Sequence, residues 1–194
     1  MTYGRRIAGN PIQRLPLLLL AGLLCGAAAP PLTFTSLEPD FAPAASEYRQ
    51  IWDAEGARIV AVMERVAGVE FPASPIEVIV HRGPPMTSYD GRTIRMRAGY
   101  SMTYKKAAFI HELGHRLSFL LPRTAELDDH RVLDLFLYDV WTDLYGPAFA
   151  DRMVSIERRI GGRYDYDAAW TWALAMTRDE RQARLRALRA GRTS

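Results

Sequence analysis

At 194 residues, the chain has room for one compact domain and a short additional segment. With 48% hydrophobic and 24% charged residues, it has the make-up of a soluble globular protein with a core of its own. The formal charge of +3 comes from Arg5, Arg6 and Arg14; without them, 22 basic residues face 22 acidic ones. The remainder is near neutral, which excludes nucleic-acid binding driven by charge alone. The single cysteine, Cys25, excludes an intramolecular disulfide and a cysteine-based zinc site. Any bound metal must therefore use histidine and carboxylate ligands.

Residues 1–16 carry three arginines and no acid, and Leu17 to Ala29 is an unbroken apolar run before Pro30-Pro31. A basic start, a short apolar stretch and small residues at its end spell a secretory signal over residues 1–29. The run is short for a transmembrane helix. Cleavage near Ala27 or Ala28 is expected. A lipid anchor at Cys25 and an uncleaved membrane anchor are the alternatives, and they are the only routes to a membrane that the sequence offers. The expected location is exported, periplasmic or secreted.

Residues 30–45, rich in Pro, Ala and Ser, read as a linker, and the domain proper as 46–194. From Ser46, apolar residues at Tyr48, Ile51, Trp52, Ile59, Val62, Met63 and Val66 recur at helical spacing up to Gly68. Ile76 to Val80 is a short strand dense in β-branched residues. Thr93 to Arg97 alternates, with Ile94 and Met96 on one face, and predicts a half-exposed or edge strand. Lys105 to Leu121 predicts a helix closed by Pro122. Asp128 or Asp129 can cap the next, which runs to Tyr145 and stops at Gly146-Pro147. Helices over Phe149–Ile160, Ala168–Met176 and Asp179–Leu188 follow, with Tyr164 to Asp167 as a link. Arg181, Arg184, Arg186 and Arg189 read as a solvated face. The fold class is α+β: a small N-terminal mixed sheet with a flanking helix, then a helical C-terminal half.

The chemistry concentrates in His111-Glu112-Leu113-Gly114-His115. On a helix, residues four apart lie on one face, one turn apart, as two ligands of a single zinc ion require. Glu112 is placed to serve as general base toward a water whose pKa zinc lowers. Gly114 lets another backbone approach closely, and Phe109, Ile110, Leu113 and Leu117 supply an apolar face. The chain has four histidines, and two of them are here.

This HExxH string resembles the zincin metallopeptidases, and within them the gluzincin-like branch. The metzincin branch has a third histidine six residues after the second, where this chain has Leu121. The gluzincin resemblance implies a third, acidic ligand from the following helix. Asp134 is preferred, because a residue one to two turns into the returning helix comes back level with the metal. Asp139 is the alternative, with Asp143 orienting the first histidine. Both are Asp where the family has Glu, so the helices would have to approach more closely. His130, one turn before Asp134, is a candidate to orient that carboxylate or to stabilise an oxyanion. Tyr138, Tyr145, Tyr164 and Tyr166 are candidate transition-state donors, and Trp141, Trp170 and Trp172 are expected in the core. Thr93 to Arg97 resembles the edge strand on which zincins lay an extended peptide, with Arg95 and Arg97 facing substrate or solvent.

The expectation is an exported metallopeptidase using Zn2+ and acting on a peptide or protein substrate. A zincin-like fold that binds metal or a partner with little turnover is the alternative. The resemblance spans residues 46–146, and its specific part is 111–115.

Overall fold

The computed structural model describes residue 1 and residues 29–123, 127–162 and 164–191. The expected signal segment, with Cys25, lies almost wholly outside the described residues. No helix among the described residues is long and apolar enough to cross a membrane.

The described chain is α+β, with a four-stranded mixed sheet and six α-helices. Strand β1 is Leu32–Ser36, β2 Ile76–His81, β3 Met86–Thr87 and β4 Thr93–Arg97. The sheet order is β1-β2-β4-β3, with β1 and β4 parallel to β2 and β3 antiparallel to β4. Strand β2 holds the middle because Ile76, Val78 and Val80 are buried, and β4 buries Ile94 and Met96 while Arg95 and Arg97 stay exposed. Alternation in the sequence is thus alternation across the sheet.

Two expectations are corrected here. Residues 30–45 are not a linker: they hold β1 and the first turn of helix α1, Ala42–Ala67. Only Phe34 of β1 is buried, so a five-residue strand flanked by prolines leaves little pattern to read. Strand β4 is half-exposed, as one of the two readings has it, but it is not the edge, since β3 pairs Met86 with Arg95 and Thr87 with Ile94. The exposed edge next to the cleft belongs to β3.

Helix α1 ends at Gly68, whose φ of 66° is the left-handed conformation that glycine adopts without strain. Helix α2, Met102–Ser118, is capped by the Ser101 side chain. Helix α3, Asp129–Tyr145, is capped by Asp128, whose side chain accepts from Arg131 N at 2.9 Å. Helices α4, Pro147–Glu157, α5, Tyr166–Leu174, and α6, Arg178–Arg189, pack against α3. Phe109 of α2 sits at the centre of the core, edge-on to Phe34, Tyr48 and Trp52 at 5.8–6.0 Å. These aromatic contacts tie α2 to β1 and α1, and so fix the helix that carries the histidines.

Candidate metal centre

His111 and His115 project from the same face of α2, and their Nε2 atoms are 3.2 Å apart. Behind each ring stands a carboxylate. Glu157 Oε1 accepts from His111 Nδ1 at 2.9 Å, and Asp129 Oδ2 lies 2.7 Å from His115 Nδ1. Each carboxylate engages the Nδ1 side, which turns both Nε2 atoms toward a common point. Two nitrogens 3.2 Å apart would subtend roughly 100° at an ion held at ~2.05 Å, close to tetrahedral.

His130, from the first turn of α3, completes the group: one ring nitrogen from each of the three histidines lies within 4.8 Å of the others. Its ring stacks on Tyr164 at 4.2 Å, and Tyr166 Oη lies 3.2 Å from its Nε2. Burial, aided by the neighbouring His111 and His115, lowers the His130 pKa to about 3. A neutral imidazole is the form that ligates metal. At His111, burial favours the neutral ring, but Glu157, Glu112 and Asp134 outweigh it and raise the pKa to about 9.

Glu112 is held from the sheet side. Thr87 Oγ1 of β3 lies 2.7 Å from Glu112 Oε2 and 2.9 Å from the Glu112 carbonyl oxygen. A cleft of about 490 Å³ opens onto His111, Glu112, His115 and His130, with Met86, Tyr89 and Phe119 on its apolar side. A second hollow of about 390 Å³ joins it at His111, Glu112, Pro85 and Tyr166.

The structure therefore brings together His111, Glu112, His115 and His130. The acids expected as third ligand fall elsewhere. Asp139 is buried in a bidentate pair with Arg181, at 2.6 and 3.1 Å, and Asp143 pairs with Arg65 and Arg178. Arg181 is correspondingly buried rather than part of a solvated face. Asp134 is 1% exposed and stands outside the histidine group; neither of its oxygens has a hydrogen-bond partner among the described residues. Burial raises its pKa well above the ordinary carboxylate range. The reason that His130, and not Asp134, stands beside His111 and His115 is helix length. Helix α2 stops at Ser118, three residues past His115, instead of running to Leu121. The chain turns back sooner, so the level residue lies in the first turn of α3 rather than the second. Imidazole also reaches further than the Asp side chain.

Tyr164 and Tyr166 reach the site, whereas Tyr138 bonds Asp151 and Tyr145 bonds Glu55. Trp141 and Trp170 are fully buried, and Trp170 Nε1 donates to Glu157 Oε2 at 3.0 Å. Gly114 leaves room for a side chain rather than a backbone: a Cβ there would stand 2.4 Å from Leu133 Cδ1. Nothing near Glu157 or Thr87 in the sequence marks either as polar support for a site. No protein-family model matches the chain, and no match is found among curated proteins or solved structures.

Proposed function

We propose that the chain is a zinc-dependent hydrolase, a zincin-like metallopeptidase exported by its N-terminal segment. The observation that carries this reading is the pair of carboxylate-backed imidazoles with facing Nε2 atoms 3.2 Å apart, His130 beside them, and Glu112 in the same cleft. His111, His115 and His130 would hold the zinc. When bound, zinc supplies a Lewis acid and lowers the pKa of water toward neutrality.

The remaining chemistry belongs to the chain. Glu112 takes a proton from the attacking water and delivers it to the leaving nitrogen as the peptide bond breaks. Thr87 fixes one Glu112 oxygen and leaves the other for this exchange. Tyr166, hydrogen-bonded to His130 at the cleft wall, is the donor best placed for the developing oxyanion. Pro85, Met86 and Phe119 give the cleft an apolar wall on one side.

Metal analysis of the purified chain beside His115→Ala, His130→Ala and Glu112→Gln tests the reading. About one zinc per chain is expected, lost in both histidine variants and kept in Glu112→Gln, which abolishes cleavage of a peptide library. A wild-type chain that takes up no zinc, even after it is added back, overturns the proposal. A metal-binding module with little turnover is the second reading, favoured by the Thr87 hydroxyl already engaging the Glu112 carboxylate. It predicts that Glu112→Gln and wild type behave alike in every hydrolysis assay.

A further inference from the structure

The two hollows that meet at Glu112 differ in chemistry. The larger is walled by Met86, Tyr89 and Phe119. The smaller is walled by Tyr100 and Tyr104, with Arg97 from the end of β4. The rings of Tyr100 and Tyr104 meet edge-on at 4.4 Å, and the Arg97 guanidinium lies 5.7 Å from the centre of the Tyr100 ring. Both acids lining this hollow are already engaged: Glu112 by Thr87, and Glu157 by His111 and Trp170. Arg97 has no carboxylate partner among the described residues, and neither the Tyr100 nor the Tyr104 hydroxyl has a hydrogen-bond partner there. The hollow thus offers a guanidinium and two hydroxyls as donors, while both Glu157 oxygens are taken and Glu112 keeps one oxygen free on the side of the reaction centre.

We infer that the smaller hollow is a specificity subsite for a carboxylate of the substrate, with Arg97 as the recognising cation. The inference rests on the peptidase reading of the neighbouring site. A carboxylate is acceptor-only when ionised, and its two oxygens match the fork of a guanidinium. The Tyr100 ring steadies that guanidinium at the mouth of the hollow, where Arg97 is exposed and open to an incoming anion. In a peptide, the carboxylate comes from an Asp or Glu side chain or from the C-terminus. The substrate then spans Glu112 with an apolar group in the larger hollow and an anionic one in the smaller.

The test measures binding rather than turnover. Zinc-loaded full-length Glu112→Gln is titrated by calorimetry with Ala-Leu hexapeptides carrying one Glu at successive positions. Each is made with a free and an amidated C-terminus, beside matching Gln and Lys sets. Either one Glu position or the free C-terminus should tighten binding about tenfold over its neutral partner, which identifies the source of the carboxylate. Adding Arg97→Gln should remove that preference, and Arg97→Glu should reverse it in favour of Lys, with zinc content unchanged. Hexapeptides that bind without regard to charge, or whose preference survives Arg97→Gln, overturn the subsite and leave the peptidase reading standing. A failure of every hexapeptide to bind overturns the peptide reading, and the subsite falls with it.

Discussion

Glu157 Oε1 accepts from His111 Nδ1 at 2.9 Å, across 46 residues of sequence. The contact joins the end of α4 to the middle of α2 and decides which imidazole nitrogen faces the cleft. The other Glu157 oxygen takes the Trp170 indole, so the carboxylate cannot turn without breaking a second bond. Glu157→Gln keeps the shape and removes the charge. It should lower zinc affinity by ~10- to 100-fold, measured by competition with a chelator. Helical circular dichroism should be unchanged. An unaltered affinity would reduce the contact to packing.

Asp139 and Arg181 make the opposite case, a buried ion pair with no part in the site. Both are nearly inaccessible, and the pair locks α6 onto α3. Removing one partner strands the other charge. Asp139→Ala should therefore cost ~3–5 kcal/mol in chemical denaturation. Zinc per folded chain should stay at the wild-type level. Loss of zinc without loss of stability would return Asp139 to the list of ligands.

Much of this fold is legible in the sequence, for identifiable reasons. Strands β2 and β4 carry dense or alternating apolar residues, and α1 and α3 stop at Gly68 and Gly146. The HExxH string reads directly because its geometry is local to one helix. What did not read was set by distance. Thr87 reaches Glu112 across 25 residues from a two-residue strand, and Glu157 lies in a helix that the sequence predicts but with nothing to point it at the site, 46 residues from His111. His130 reads as a site residue in the sequence, but its place beside His111 and His115 depends on where α2 ends. The burial of Arg181 is hidden from the sequence for a related reason. Its helix is rich in arginines, and only the Asp139 partner distinguishes the buried one.

Asp134 is the unresolved cost in the core: a carboxylate at 1% exposure with neither oxygen hydrogen-bonded among the described residues. Burial raises its pKa well above the ordinary 3.8. For an acid, a raised folded pKa means that the fold binds the proton more tightly than the unfolded chain does. Stability is then lost as pH climbs above the unfolded value. In the chelated protein, Asp134→Asn should raise Tm at pH 7, and the gain should vanish below about pH 4. If Asn instead lowers both Tm and zinc content, Asp134 serves the metal after all.

Asp143 works in the other direction. Its two oxygens accept from Arg178 at 2.7 and 2.8 Å, and Arg65 adds a third contact at 2.9 Å. The Arg178 hydrogen bonds, with those of Arg65, hold its pKa down at about 2, from an ordinary 3.8. A lowered folded pKa gives stability that is present above the unfolded value and lost as pH falls toward the folded one. The arginine side chains are 46% and 60% exposed, so solvent screens much of the attraction. Asp143→Asn should therefore cost only about 1 kcal/mol at pH 7 in urea denaturation. The difference should shrink between about pH 4 and pH 2 as the wild-type carboxylate takes its proton. High salt at pH 7 should shrink it in the same way. A deficit that persists at low pH would trace the loss to hydrogen-bond geometry among α1, α3 and α6, and not to charge.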